Sequence, residues 1–182
     1  MAPFLKDIGF ADSLIMPIMT IGQITEVVFL ALLGGIITRI GYRRALLLGA
    51  VMEVGRFFCF SLAGWRYFAV MGVLFHGPAF ALFFSTAFIF INSFTSTESR
   101  AGVQQIFNVV TIGMGNFAGS IAAGFVYDAA SGGGFFSGAA AAGAADVVYT
   151  QFWLVPLIIS GLVAAGIALT GAVSRRVRES QS

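Results

Sequence analysis

Five long apolar stretches run through this sequence, at residues 14–37, 45–63, 67–91, 101–126 and 152–173. Each is close to the roughly 20 residues that carry an α-helix through the hydrocarbon core of a bilayer. Helices are the reading that lipid allows, because an isolated strand there leaves its backbone groups without partners. The period-two alternation of a membrane barrel is missing from the sequence. The expected fold is therefore an all-α polytopic transmembrane helix bundle with five complete spans. Composition agrees: 58% of the 182 residues are apolar and 10% are charged, against about a quarter charged in soluble domains. So few polar groups cannot coat a soluble enzyme, and Cys59, the single cysteine, closes no internal disulfide.

The charges gather in the connections. Arg39, Arg43, Arg44, Arg100, Arg175, Arg176 and Arg178 fall on one side of the expected bundle. Lys6 and Arg66 fall on the other, with Asp7, Asp12, Asp128 and Asp146. Basic residues stay on the cytoplasmic side, so the C-terminus and the tail 175–182 are expected in the cytoplasm of a bacterial-type inner membrane. Residues 1–13 read as an outer tail, the end of a helix whose earlier part is missing. The Gly- and Ala-rich segment 127–151 reads as a flexible outer loop. Thr95 and Glu98 make a capping-box pattern that predicts a short helix before the fourth span. Trp65 and Trp153 lie near span ends, where interfacial aromatics belong.

Charged groups inside the spans carry the functional signal, since each costs about 2.5 kcal/mol or more at bilayer depth. Gln23 and Glu26 are three residues apart and share a helix face. They line a polar cavity in which Glu26 binds substrate or carries a proton, or else Glu26 is protonated and bonded to a neighbouring helix. Glu53 and Arg56 have the same spacing and read as an ion pair, structural or gating. His76, the only histidine, precedes Gly77 and Pro78 and shares a face with Phe80. Pro78 predicts a kink and Gly77 a close approach. A titratable ring beside an aromatic surface suits a planar polar ligand, while the bland alternative is a histidine bonded to the next helix. In the fourth span Gln104, Asn108, Thr111, Gly115 and Gly119 form one stripe. Gly115 and Gly119, and then Ser120 and Gly124, have small-xxx-small spacing and predict helix packing. Gln104 and Asn108 are expected to line an inner vestibule, and Pro156 to be a tolerated kink. With one histidine and one cysteine, no metal cluster, nucleophile–base pair or phosphate loop can be assembled. No enzyme, cofactor or nucleic-acid partner is expected. The partners are the lipid bilayer, protons and a small polar solute.

These features together resemble the C-terminal half of a major facilitator superfamily transporter. Gly34, Thr38, Arg39, Gly41, Arg43 and Arg44 resemble its loop motif G-x-x-x-D-R-x-G-R-R, with Thr38 in place of the acid. A narrower resemblance is to the nucleoside:proton symporter (nucleoside permease) family. Gly22, Gln23, Glu26 and Phe29 resemble the G-Q-x-x-E-x-x-F segment of its eighth helix. Arg56 with Phe57 resembles the arginine–phenylalanine of helix nine. His76, Gly77, Phe80 and Ala81 resemble the aromatic-Gly-x-x-aromatic-Asp segment of helix ten. Ala81 stands where that family has an aspartate, which leaves Glu26 as the main intramembrane acid. Arg100, Gln104 and Phe107 resemble the opening of helix eleven, and Phe152 with Trp153 the start of helix twelve.

The resemblance implies proton-coupled nucleoside uptake by alternating access, with an N-terminal six-helix half absent from this chain. It implies substrate contacts from Gln23, Glu26, His76 and Phe80, with Glu26 the candidate for proton coupling. A lone half is expected not to transport. Two other readings accompany this one: a facilitator for another polar solute such as a sugar, and a non-transporting membrane scaffold derived from a transporter half.

Overall fold

A computed structural model of the chain describes residues 1–62, 65–131 and 145–179. The expected outer loop over residues 132–144, the tail end at 180–182 and the side chains of Asp146, Arg175, Arg176 and Arg178 lie outside the described residues. All regular structure described is helical. A short α1 (Ala2–Asp7) leads into α2 (Asp12–Ile40) and α3 (Tyr42–Ser61). Next comes α4 (Arg66–Ser93), whose middle turn, Phe80–Ser85, is π-helical. The fifth helix, α5, runs over 100–131 with a π-helical turn at Val109–Met114, and α6 is Ala145–Glu179.

Local chemistry explains several of these boundaries. Gly41 ends α2 at φ 80°, a conformation that costs glycine little, and α3 starts at the next residue. Pro78 has no N–H to give, and the wide π turn begins two residues later. Thr95 does not cap the fifth helix. Its hydroxyl donates back to the Ile91 carbonyl at 2.8 Å, and α5 opens at Arg100 without a side-chain cap. The predicted short helix is therefore replaced by a turn. Both flanks of the expected loop are helical, since α5 continues to Ser131 and α6 starts at Ala145.

Four of the described helices are long and apolar enough to cross a membrane: Asp12–Ile40, Arg66–Ser93, Arg100–Ala129 and Val148–Thr170. The expected second span is a helix of 20 residues, α3, but it is not among the four. Arg43, Arg44, Glu53 and Arg56 make it too polar to qualify by composition. This helix also has the most extensive packing, against α6 and α4, while α2 packs on α4. Its charges are thus on the element most enclosed by the others.

The best-buried core lies at one end of the bundle, where Phe4, Leu5, Ile15, Ile18, Phe60, Val73 and Tyr149 meet. Phe4 sits edge-on to Phe60, Tyr149 and Trp153, with ring centroids 5.6, 5.0 and 5.4 Å apart. Trp153, near the start of the Val148–Thr170 span, packs in an aromatic cluster that also includes Phe57, Phe60 and Phe152. Trp65 is exposed.

At the same end Arg66 Nε donates to the Ile8 carbonyl at 3.1 Å, beside the Phe10 ring. Tyr149 donates to Asp7, and Lys6 pairs with Asp12 at 3.2 Å. Arg66→Ala is expected to cost about 1 kcal/mol, because it strands a part-buried carbonyl at the α1–α2 turn. Lys6→Ala should cost less than about 0.5 kcal/mol, its pair being solvent-exposed. Thermal unfolding of the two variants checks the difference.

Close helix crossings fall at glycines outside the predicted motif. A Cβ added at Gly49 would lie 2.7 Å from Leu82 C and 2.9 Å from Phe83 Cβ. One added at Gly72 would collide with the Phe60 ring. At Gly119 it would meet nothing within 4 Å, and at Gly115 only the Val110 carbonyl of the same helix, 3.6 Å away. Among the described residues, no other helix comes within 4 Å of an added Cβ at these two positions of the small-residue motif. Gly124, the third predicted packing glycine, is half-buried.

Candidate substrate site between α2, α3 and α4

The candidate site begins with two glycines. A Cβ on Gly22 of α2 would stand 3.0 Å from the Val73 carbonyl of α4, and one on Gly77 of α4 would overlap the Glu26 amide and Thr25 Oγ1. Backbone-to-backbone contact of this kind is what small residues permit in membrane bundles. Thr25 Oγ1 donates to the Gly22 carbonyl at 2.8 Å and lies 3.3 Å from the Leu74 carbonyl across the crossing. The crossing sets Gln23 and Glu26 against the segment that carries His76.

A cavity of about 240 Å³ opens there, lined by Met1, Met19, Gln23, Arg56, Phe60, Val73 and His76. Arg56 reaches it from α3. Its Nη1 donates to both carboxylate oxygens of Glu53, at 2.9 and 3.1 Å. Its guanidinium carbon is 5.0 Å from the Phe57 ring centroid and 5.7 Å from that of Phe60. Carboxylate and rings together fix the arginine in place. Arg56 Nε and His76 Nδ1 are buried and have no hydrogen-bond partner among the described residues. Glu26 is half-buried, and its carboxylate has no hydrogen bond or ion pair among the described residues.

The four residues chosen from the sequence do not line one pocket. Gln23 and His76 border the cavity just described, and Glu26 sits at its flank beside Gly77. Phe80, its ring centroid 6.4 Å from that of His76, opens on a neighbouring groove between α4 and α5. That groove, about 470 Å³, is lined by Phe84, Ser85, Phe88, Phe107, Asn108, Thr111 and Asn116 among others. The two rings still share a helix face, the Phe80 amide donating to the His76 carbonyl, and they part because different elements face them, α2 and α3 at His76 and α5 at Phe80. Asn108 lines this groove, whereas Gln104 is held by Asn92, to whose Oδ1 it donates at 2.9 Å.

Ala81, in the position of the family's aspartate, is fully buried. Glu53 borders a third, apolar cavity of about 490 Å³ with Phe57, Phe83 and Ser160, so the Glu53–Arg56 pair separates two cavities. That Arg56 lines a cavity and that Ser85 and Asn116 border a groove was not expected from the sequence. The aromatics at one and four residues beyond Arg56, which hold its side chain, were the available signal.

The loop motif is placed at the opposite end of the bundle from the Phe4 core. Gly41 makes the α2–α3 turn, and Arg43 donates to the Ile167 and Ala168 carbonyls of α6. Gly34 has nothing within 4 Å of an added Cβ, and Arg39 and Arg44 are exposed. Thr38, at the motif's acid position, donates to the Gly35 carbonyl one turn earlier at 3.0 Å. The motif here acts through a glycine turn and one cross-helix arginine.

The chain is 29% identical over 133 residues to nucleoside permease NupG of Escherichia coli (strain K12), covering 69% of this chain and 32% of that protein. It is 27% identical over 139 residues to xanthosine permease of the same organism, covering 69% of this chain and 33% of the relative. The chain thus spans about a third of the length of these relatives. A crystal structure of nucleoside transporter NupG superimposes with a TM-score of 0.76 over 92% of this chain and 42% of that one, at 22% identity, and so shares the fold. The model of the family described as nucleoside H+ symporter matches residues 1–172. The chain belongs to the nucleoside H+ symporter family.

Proposed function

We propose that this chain forms the C-terminal half of a proton-coupled nucleoside transporter in a bacterial-type inner membrane. In this reading α3 is the fifth span, its charged pair shielded by α4 and α6, and the C-terminus is cytoplasmic. A six-helix N-terminal half completes the site and supplies the second rocking body for alternating access. The exposed apolar faces of α2, α5 and α6 are then covered by that half or by lipid.

Gln23 and Glu26 hydrogen-bond the nucleoside, His76 adds a polar contact, and Phe80 stacks on the base from the adjoining groove. The observation that carries the reading is Glu26, an acid in mid-span with no partner among the described residues, at a helix crossing beside a polar cavity. Intramembrane acids left unpaired belong to proton or substrate paths. Ala81 cannot titrate, so Glu26 takes the coupling role in this chain.

The test is uridine uptake by the intact protein in proteoliposomes, with and without an imposed proton gradient. Wild type is expected to concentrate uridine only with the gradient. Glu26→Gln is expected to abolish that dependence, lowering gradient-driven uptake about 100-fold, a barrier change of about 2.7 kcal/mol. Uptake by Glu26→Gln that still depends fully on protons overturns the coupling role. A wild type that moves no nucleoside overturns the nucleoside reading.

A further inference from the structure

The cavity between α2, α3 and α4 holds two buried nitrogens without partners, Arg56 Nε and His76 Nδ1. A buried polar group left unsatisfied is disfavoured, so each marks a place where a ligand atom completes the structure. Arg56 Nε is always a donor, so its partner must be an acceptor. His76 Nδ1 either donates or accepts, according to tautomer.

Charge narrows the acceptor. Both Glu53 oxygens are already bonded to Arg56 Nη1. The pair is neutral as a unit, so Arg56 Nε suits a neutral carbonyl oxygen. The cavity, about 240 Å³, is one side of a site that the N-terminal half would complete, so it meets part of a nucleoside.

Resting on the nucleoside reading above, we propose that Arg56 is a specificity-determining residue that receives a carbonyl oxygen of the base, with His76 taking the adjacent ring N–H. The transporter then selects bases with a carbonyl next to a ring N–H, such as hypoxanthine or uracil, over adenine. Adenine presents an amino donor where hypoxanthine presents the carbonyl, and that donor would face Arg56 Nε unpaired. A site built to bond one polar group rejects the analogue that lacks it.

Inosine and adenosine differ at this edge alone and serve as the probes. Binding of each to the intact protein is measured by calorimetry. Wild type is expected to bind inosine about tenfold tighter or more. The double variant E53Q/R56Q removes the Nε donor without stranding a charge. It is expected to bring the two affinities within about twofold of each other. E53L/R56M also removes both charges, leaves no donor at position 56 and is expected to lose selectivity likewise, which keeps the test open if E53Q/R56Q fails to fold. Equal binding by wild type, or selectivity that survives both variants, overturns the role of Arg56 and leaves the nucleoside reading standing. Failure of wild type to bind either probe, or uridine, overturns both.

Discussion

Gly77→Val is expected to separate α2 from α4 and to leave little folded protein. The position has no room for a Cβ, which would overlap the Glu26 amide and Thr25 Oγ1 and come close to Thr25 C. Two of these obstacles are backbone and cannot swing aside as a flexible side-chain end does. Relief requires moving one helix away from the other, and that opens the Gly22–Val73 contact one turn along, where the present spacing is already near the van der Waals limit. Overpacking a tight core costs about 1–3 kcal/mol, and more when backbone must shift. A value at or above the top of that range is comparable with much of the stability of a domain.

Gly119→Val supplies the control. It is the same substitution at a glycine that has nothing within 4 Å of an added Cβ, so it is expected to change stability by less than about 0.5 kcal/mol. Thermal unfolding and elution from a sizing column, in one detergent, check both. Comparable losses at the two positions would show that α5 packs through Gly119 in the assembled protein and that the α2–α4 crossing is looser than described.

That contrast also shows what was legible in the sequence. Apolar runs announced the helices because bilayer length and backbone satisfaction leave few other structures for them. The face shared by Gln23 and Glu26 followed from spacing alone. Spacing could not tell which glycines touch another helix. The motif around Gly115 and Gly119 looks like a packing surface, yet packing needs a second surface, and its position is a tertiary fact. Gly22, which lacks that pattern, and Gly77, which has it only with Ala81, form the crossing. The site was half legible for a similar reason. The i, i+4 relation of His76 and Phe80 holds, but spacing could not tell that α2 and α3 enclose the histidine while α5 borders the phenylalanine. The spacing of Glu53 and Arg56 announced a pair, but only the packing of α3 against α4 and α6 brings Arg56 to the same cavity as His76.

The pair itself yields the second large effect. Removing Glu53 alone, as Glu53→Gln, is expected to destabilise the protein by about 3 kcal/mol, and Arg56→Gln by a similar amount. Exposure supports this size. The two side chains retain only 22% and 25% of their accessible surface, against 63% and 72% for Lys6 and Asp12. In the single variants the remaining charge stays among apolar neighbours, which for Arg56 are the rings of Phe57 and Phe60. In E53Q/R56Q neither charge remains, and two amides one turn apart can bond each other, so the double variant is expected within about 1 kcal/mol of wild type. The coupling energy from the four proteins should then exceed about 3 kcal/mol, beyond what an exposed pair gives. Unfolding midpoints in a fixed detergent measure it. Single variants that lose less than about 0.5 kcal/mol would place the pair among solvated ones, and α3 would then have no reason to bring two charges into the most enclosed part of the bundle.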